Sequence, residues 1–383
     1  MSTHDTMAHT AKLAALRGQL LGWLVDSAYP LWALRGIDAA NGGFIETLAQ
    51  NGDALPHARR ARVQPRQIYS FAQAPALGWT GDTRRIVLRG AEYFSSHYRR
   101  PDGLYRTLVG VDGAALDDRA LLYDQAFALL GFAAAAQCLE AVQDFERRAL
   151  DLKDAIESRF LGVDGAFYSV ETPDGRFESN PHMHLLEARL AWAEIGADPG
   201  WQDWVRDLTE LALRRFIRPA TGALGEFFTA DWQPAPGTAG RIVEPGHQFE
   251  WGWLLLRSSK GRPGALREAA LRLISIGEKS GVRSEVAINA LLDDFSVHDP
   301  NARFWPQTER LKATLLAARI TGEVQYLEMA AAAAASLLPY LGTPVPVLWF
   351  DVRLPSGEFV EAPAPASTFY HLVGSLVALS TAA

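Results

Sequence analysis

Asn41-Gly-Gly-Phe44 is the first of six short segments that combine turn-forming residues with an aromatic side chain. The other five are Asp102-Gly-Leu-Tyr105, Asp164-Gly-Ala-Phe-Tyr168, Thr221-Gly-Ala-Leu-Gly-Glu-Phe-Phe228, Leu292-Asp-Asp-Phe295 and Leu348-Trp-Phe-Asp351. We take as markers Gly43, Gly103, Gly165, Gly222, Asp293 and Trp349. The markers are separated by 60, 62, 57, 71 and 56 residues, so a unit of roughly this length nearly fills the 383-residue chain.

The sequence between the markers has helical periodicity. Leu122, Ala126, Leu129, Leu130 and Ala133 recur at spacings of three and four, which places them on one helical face. Twelve helices are predicted in this way, at residues 11–28, 66–79, 83–98, 121–142, 146–160, 182–195, 201–216, 247–257, 265–280, 307–320, 323–338 and 367–380. Two helices per unit bury their apolar faces when six units close into a ring. We therefore predict an all-α (α/α)6 toroid of six helical hairpins with short β-hairpin or loop insertions. An open helical solenoid is the alternative, but such arrays are usually more regular in sequence.

The chain has no Ser/Gly linker, charge block or low-complexity tract. We expect one domain over residues 1–383, with about the first ten residues disordered. The net charge of −7 argues against nucleic acid or an anionic membrane as the main partner, because both require a concentrated positive surface.

Cysteine content and the N-terminus indicate the cellular environment. The single cysteine, Cys138, excludes an internal disulfide framework and a site built from clustered thiolates. The start of the chain lacks the basic and apolar regions of a secretory signal. We expect a soluble cytoplasmic protein.

Polar side chains interrupt the starts of apolar helices, as expected where the inner helices of a toroid open into a pocket. Arg62, Arg66 and Tyr69 follow one another at spacings of four and three. Arg66 is a candidate for holding sugar hydroxyls or a carboxylate, although an ordinary surface arginine fits equally well.

Asn180 and His184 flank a second helix start. His182, His184 and Glu187 suggest a metal site, but residues two apart on a helix do not converge on one ion, so we predict no metal there. A capped, partly buried histidine is the structural alternative for either position.

The most informative helix start is Glu244-Pro-Gly-His-Gln-Phe-Glu-Trp-Gly-Trp253, where His247, Glu250 and Trp251 share a helical face. A histidine beside a carboxylate is suited to general acid–base catalysis. His371 lies one turn into the last helix, where a satisfied core histidine is an equal alternative.

Two further segments contribute an aromatic side chain and hydrogen-bonding groups. Tyr123 lies at one helix start, and Trp305, Gln307 and Glu309 lie at another. Aromatic rings with polar neighbours suit a pyranose, which has apolar faces and many hydroxyls.

These residues resemble the N-acylglucosamine 2-epimerase family, which also contains mannose isomerases, sulfoquinovose isomerases and cellobiose 2-epimerases. The resemblance covers essentially the whole chain, in the family's order. It rests on Arg66-Gln-Ile-Tyr69, Asn180-Pro-His-Met-His184, Pro245-Gly-His-Gln-Phe-Glu-Trp251, Trp305-Pro-Gln-Thr-Glu309 and Tyr370-His371. It implies an (α/α)6 barrel and proton transfer beside a sugar carbonyl, without cofactor or metal.

The resemblance also assigns roles to residues. His247 and His371 match the two acid/base histidines, with Glu250 as the partner of His247. The residues that match sugar-pocket positions are Arg66, Tyr123, Asn180 and His184, with Trp305 as a stacking residue. Arg241 is a further pocket candidate, although its spacing to His247 departs from the isomerase pattern.

The implied reaction opens the sugar ring and removes the C2 proton, giving a cis-enediol stabilised by donors such as Arg66. Protonation at C1 gives a ketose, and protonation on the opposite face of C2 gives an epimer. Mammalian-type epimerases of N-acetylhexosamines carry a Gly-rich nucleotide-responsive segment, and we find no equivalent here. Disaccharide epimerases carry more aromatic platforms for a second sugar than we identify in this sequence. We therefore predict an isomerase of a free monosaccharide, first D-mannose to D-fructose, with 2-epimerisation as the alternative.

Other substrates and classes stay open. Sulfonated or phosphorylated sugars are a minor option because of Arg59, Arg60 and Arg62. A glycoside hydrolase would need two carboxylates, for which Asp124, Glu250 and Glu309 are candidates. A non-catalytic sugar-binding protein is a third reading. We expect a monomer or homodimer whose partner is a small sugar.

Overall fold

The computed structural model describes residues 3–172 and 175–382. Its α-helices are α1 (Thr3–Trp23), α2 (Tyr29–Arg35), α3 (Val63–Gln73), α4 (Thr83–Tyr98), α5 (Leu122–Leu139), α6 (Val142–Phe160), α7 (Ser179–Ile195), α8 (Gly200–Leu211), α9 (Pro245–Ser259), α10 (Ala265–Ile276), α11 (Phe304–Thr321), α12 (Val324–Leu337) and α13 (Ala366–Ser380). A π-helical turn, Leu24–Ala28, joins α1 to α2 into one continuous helix. Each of the twelve predicted helices is therefore found within the described residues.

The helices close into a ring. Going round, α3 contacts α5, α5 contacts α7, α7 contacts α9, α9 contacts α11, α11 contacts α13, and α13 contacts α3 again. The remaining helices lie outside, where α4 and α6 pack on α5, α8 on α7, α10 on α9, and α1 on α12. The fold is the expected (α/α)6 barrel, and ring closure excludes the open solenoid.

Helix α1 begins at Thr3, and the expectation of disorder in about the first ten residues stays a prediction. The Thr10 hydroxyl donates to the Thr6 carbonyl one turn earlier, and Leu13 and Leu16 are buried in the core. One buried hydrophobic cluster extends from Leu13 to Leu379 and includes residues of every helix, which favours the single-domain organisation.

Short strands decorate the helical frame: β1 (Thr47–Leu48), β2 (Arg59–Arg60), β3 (Leu108–Val109), β4 (Ala115–Asp117), β5 (Arg176–Glu178), β6 (Phe227–Thr229), β7 (Val282–Arg283), β8 (Val286–Ala287), β9 (Ala290–Leu291), β10 (Val297–Asp299), β11 (Ala302–Arg303), β12 (Val352–Arg353) and β13 (Ala364–Pro365). All pair antiparallel, as β2-β3-β4 and in five two-stranded sheets. In one of these sheets β1 pairs with β13, which ties the first unit to the last.

Helix α5 is long and apolar enough to cross a membrane by length and composition, with a mean hydropathy of 1.2. It is an inner helix of the barrel and 78% of it is buried against its neighbours. The core helix of a barrel passes the same test, because it is apolar on all sides.

A buried glutamine near the start of an inner helix holds the loop that precedes it. Gln64 Nε2 donates to the Phe44 carbonyl, and Gln64 Oε1 accepts from the Phe44 amide, both at 2.8 Å. The same two-bond arrangement, which we call the glutamine clamp, joins Gln125 to Tyr105, Gln248 to Leu224 and Gln307 to Ala287. It supplies the hydrogen bonds that buried backbone groups outside regular structure require.

In the third unit a histidine replaces the glutamine. His182 Nε2 accepts from the Phe167 amide at 2.9 Å, and His182 Nδ1 bonds the Glu178 carbonyl at 2.7 Å. The held residues in the first five units are Phe44, Tyr105, Phe167, Leu224 and Ala287. They lie 61, 62, 57 and 63 residues apart, a more even repeat than that of the sequence markers. The structure therefore corrects the fifth marker from Asp293 to Ala287.

We expect Gln125→Leu to destabilise the fold by about 2–4 kcal/mol, because it leaves the buried amide and carbonyl of Tyr105 without partners. Urea unfolding followed by circular dichroism measures this loss. Gln137→Leu is the matched control on the exposed side of the same helix. A change in Gln125→Leu within about 0.5 kcal/mol of the wild type would contradict the role of the clamp.

Candidate active site

A cavity of about 280 Å³ lies at the end of the barrel where the inner helices begin. Every inner helix contributes at least one side chain from its first turns. The lining residues are Arg60, Arg62, Arg66, Tyr123, Asn180, His184, Glu244, His247, Glu250, Arg303, Trp305, Ser367, Thr368 and His371. This convergence follows from the ring, because six parallel inner helices point their N-terminal turns at one axis.

His247 lies between two carboxylates. Its Nδ1 is 3.0 Å from Glu226 Oε2 and 3.6 Å from Glu244 Oε2. Burial opposes the charged ring, but the two carboxylates outweigh it and raise the pKa of His247 to about 10. Since Nδ1 is engaged by Glu226, Nε2 is the ring nitrogen left for a ligand. At neutral pH, His247 is an imidazolium that presents an N–H donor.

His371 has the opposite character. Its Nδ1 is 2.8 Å from Glu309 Oε1, so the Nδ1–H donates to that carboxylate and Nε2 keeps its lone pair. Burial, together with the positive charges of Arg66 and Lys312, holds the pKa of His371 well below its usual range. The ring is therefore neutral and able to accept a proton.

Trp305 lies between the two histidines. Its ring centroid is 5.3 Å from that of His247 and 5.5 Å from that of His371. A Cβ on Gly246 would come within 2.4 Å of the Trp305 ring, so glycine there lets α9 approach the indole closely. The two histidines and the indole form one wall of the cavity.

Arg66 and its neighbours supply hydrogen-bonding groups. Arg66 donates to the Tyr123 hydroxyl at 2.6 Å, and its guanidinium lies 4.0 Å from the centroid of the Phe127 ring. Asn180 Oδ1 is buried without a hydrogen-bond partner among the described residues. A buried polar atom without a partner at a cavity is placed to bind a ligand group.

A cluster of buried carboxylates adjoins the cavity, and His184 and Glu250 of this cluster also line it. His184 Nδ1 is 3.3 Å from Glu187 Oε2 and 3.8 Å from Glu250 Oε1. Burial lowers the pKa of His184 to about 4, and burial with the charge of Glu309 raises that of Glu250 well above its usual value. Lys312 Nζ lies 2.8 Å from Glu309 Oε2, and its positive charge offsets negative charge in this cluster.

Two groups of side chains here have ligand atoms close enough to share a metal ion. They are His184, Glu187 and Glu250, and Glu250, Glu309 and His371, in each of which the atoms lie within 4.8 Å of one another. His182 is in neither, because both of its ring nitrogens bond the backbone.

The family model of N-acylglucosamine 2-epimerase (GlcNAc 2-epimerase) matches residues 43–375. The chain belongs to this family.

Among relatives, a mannose-6-phosphate isomerase of Rhizobium meliloti is 46% identical, over 94% of this chain and 96% of its own. A D-mannose isomerase of Marinomonas mediterranea is 24% identical, over 74% and 77%. The structure of a cellobiose 2-epimerase from Spirochaeta thermophila superposes with a TM-score of 0.85 at 20% identity, covering 96% of both chains. As a member of this isomerase and epimerase family, the protein is an enzyme acting on carbohydrates.

Eight of the eleven predicted site residues line the cavity: His247, His371, Glu250, Arg66, Tyr123, Asn180, His184 and Trp305. The family resemblance implied that Glu250 is the partner of His247, but the two side chains are not hydrogen-bonded. The Glu250 carboxylate oxygens have no hydrogen-bond partner among the described residues, and Glu226 bonds His247 instead.

Three predicted residues do not line the cavity. Arg241 is half-exposed and pairs with Asp293 at 2.8 Å and Asp294 at 3.0 Å. Gln307 is used by the glutamine clamp. Glu309 lies behind His371 and orients it.

Glu226 is the main residue that the sequence analysis missed. It lies 21 residues before His247, in the Gly-Ala-Leu-Gly-Glu segment that precedes α9. A charged residue inside an apolar turn segment is the signal that would have found it. Lys312 was missed because a single lysine in a helix reads as a solvated residue, whereas this one is buried.

We expect Glu226→Gln to lower the pKa of His247 from about 10 towards its ordinary value of 6.5, because a major negative neighbour is removed. NMR titration of labelled histidine rings measures the His247 pKa, with the exposed Glu210→Gln as control.

The same ion pair should appear in the pH dependence of stability. Because folding raises the pKa of His247, its protonated ring stabilises the fold below about pH 6.5, and this stabilisation is lost as the pH rises through 10. The stability difference between wild type and variant should shrink over the same range. An unchanged His247 pKa would show that Glu226 does not control the ring.

Proposed function

We propose that this enzyme interconverts mannose and fructose, as an aldose–ketose isomerase that uses His371 as base and His247 as acid. The observation that carries the proposal is a pair of histidines at one cavity, each bonded to a carboxylate through Nδ1, with Trp305 between them. Their surroundings shift the two pKa values in opposite directions. Proton transfer beside a carbonyl requires one group that accepts a proton and one that donates a proton.

The steps follow from the two protonation states. The Nε2–H of His247 donates to the ring oxygen as the C1–O5 bond breaks, and the proton released by the C1 hydroxyl restores the His247 imidazolium. His247 then donates this proton to the carbonyl oxygen at C1. His371 Nε2 removes the C2 proton, and the electron pair of that C–H bond forms the C1–C2 double bond of a cis-enediol. His371 then returns its proton to C1 while the C2 hydroxyl gives its proton to the now neutral His247, which yields the ketose and restores both histidines.

Other side chains stabilise the enediol. Arg66 has no carboxylate within salt-bridge distance among the described residues, so its charge is free to act on developing negative charge. Tyr123 and Asn180 lie beside it and offer hydrogen bonds to hydroxyl groups. The Trp305 ring offers an apolar surface to the sugar face.

Epimerisation at C2 is the second candidate, because the same histidines serve it if His247 delivers a proton to the opposite face of C2. The epimerase relatives support this alternative. The hydrolase reading has less support, because Asp124 and Glu309, two of its three candidate carboxylates, do not line the cavity.

A phosphorylated sugar is the substrate alternative that a specific feature favours. Arg60, Arg62 and Arg303 line the cavity with Arg66, and Arg60 and Arg303 keep 41% and 45% of their side chains exposed. Guanidinium groups bind phosphate bidentately. The relative named mannose-6-phosphate isomerase is consistent with this alternative. Arg59 does not contribute, because it is buried against Asp38.

A cytoplasmic location, the absence of cofactor, metal and macromolecular partners, and a monomeric or homodimeric state stay predictions. Light scattering after size-exclusion chromatography measures the assembly state directly.

We expect His371→Ala and His247→Ala each to lower turnover of D-mannose by about 10²–10⁴-fold, because each removes one proton-transfer group. Proton NMR of EDTA-treated enzyme in D2O follows the formation of fructose and the exchange of the C2 hydrogen of the aldose for deuterium. His298→Ala, at an exposed histidine, is the control. Turnover that survives in both variants would refute the histidine mechanism, and an aldose epimer without ketose would make the enzyme an epimerase.

We expect Arg303→Gln to lower kcat/KM for mannose 6-phosphate by about tenfold or more while changing that for mannose little, if phosphate is bound at the cavity mouth. Arg206→Gln, which removes a surface arginine paired with Asp203, is the matched control. An equal effect on both sugars would assign Arg303 to the sugar itself or to the fold.

A further inference from the structure

A second and larger cavity, of about 680 Å³, lies at the opposite end of the barrel, where the inner helices end. Side chains of α1, α3, α9, α11, α12 and α13 line it, and it shares no lining residue with the active-site cavity. The proposed reaction makes no use of it.

The charged side chains that line this cavity are all basic within the part of the chain that the structure describes. They are Arg17, Arg257, Lys312 and Arg319. The chain as a whole carries a net charge of −7, so a cavity with only positive side chains is a local exception. A cleft lined by one sign of charge attracts ligands of the opposite sign.

Two of these cations meet at one aromatic ring. Lys312 Nζ lies 3.9 Å from the centroid of the Trp253 ring, and the Arg257 guanidinium carbon lies 4.7 Å from it. The Tyr69 hydroxyl lines the same part of the cavity, and burial raises the pKa of Tyr69 to about 12, so it stays a neutral donor. Lys312 also pairs with Glu309 at 2.8 Å and Arg257 with Glu194 at 2.6 Å, and each keeps further N–H groups. The inner end of the cavity therefore offers donors from three side chains to an anion.

Gly374 keeps space open beside these donors. It lies inside α13, where glycine is less favourable than alanine. A Cβ at Gly374 would meet only the Tyr69 hydroxyl at 3.7 Å and Lys312 Nζ at 4.0 Å, which are ordinary contacts. By contrast, a Cβ at Gly131 in α5 would come within 2.4 Å of Pro65. Neither packing nor a left-handed backbone requires glycine at 374.

The rest of the wall is apolar. It includes leucine side chains from four helices, namely Leu13, Leu316, Leu327 and Leu379. A ligand that fills this space gains from burying apolar surface as well as from the charges.

We propose that the second cavity binds an organic anion with an extended apolar body, in its simplest form a medium-chain carboxylate. Its anionic group lies beside Lys312, Arg257 and Tyr69, and its apolar body lies along the leucine side chains. The proposal does not depend on the proposed reaction, because it concerns binding alone.

Isothermal titration of the full-length protein with decanoate, below its micelle concentration, tests this site. We expect one saturable site, with affinity rising about fourfold per methylene group from hexanoate to decanoate. We expect 1-octanol to bind about tenfold or more weakly than octanoate, because it lacks the charge.

Two variants locate the site. Gly374→Leu fills the space beside Lys312 and should abolish binding, and Arg257→Gln should weaken it about tenfold or more. Gly18→Leu and Arg147→Gln make the same changes on exposed helix faces and should leave the affinity unchanged. If Gly374→Leu fails to fold by circular dichroism, Arg257→Gln decides alone. Absence of saturable binding up to about 1 mM, or binding that Arg257→Gln leaves unchanged, overturns the proposal.

Discussion

The glutamine clamp is the interaction on which the barrel's site end depends. Four inner helices begin with a buried glutamine that takes both backbone groups of one loop residue, and His182 holds the corresponding amide in a fifth unit. These loops run through a buried region where unpaired backbone groups would be costly. By joining each loop to the next inner helix, the clamp sets where that helix begins. The first turns of the inner helices are also where the active-site side chains lie, so one device serves both fold and site.

The two histidines show how placement alone differentiates identical side chains. Both are nearly buried, and both bond a carboxylate through Nδ1. Burial lowers the pKa of His247, but Glu226 and Glu244 at its ring outweigh burial and raise this pKa to about 10. Burial lowers the pKa of His371, and the positive charges of Arg66 and of Lys312, which pairs with the same Glu309, lower it further. An acid and a base at one cavity follow from these different surroundings.

Lys312 connects the two ends of the barrel. Its ammonium pairs with Glu309, which bonds His371 at the active-site cavity, while the same lysine lines the second cavity. Three buried carboxylates, Glu309, Glu187 and Glu250, raise the pKa of Lys312 against the effect of burial. The barrel axis is therefore occupied by a balanced set of charges rather than by apolar packing, and these charges determine how the site behaves.

The sequence alone determined the twelve helices, the ring and most of the cavity, because helical periodicity and helix starts are local patterns and a ring brings the starts of its inner helices together. It did not determine which carboxylate holds which histidine. Glu226 reaches His247 from a preceding turn segment, Glu309 reaches His371 from a neighbouring helix, and Gln307 turns to a backbone loop instead of the sugar. Only the tertiary structure decided these pairings, because spacing along one helix predicts contacts within that helix, whereas hydrogen bonds between elements depend on how the elements pack.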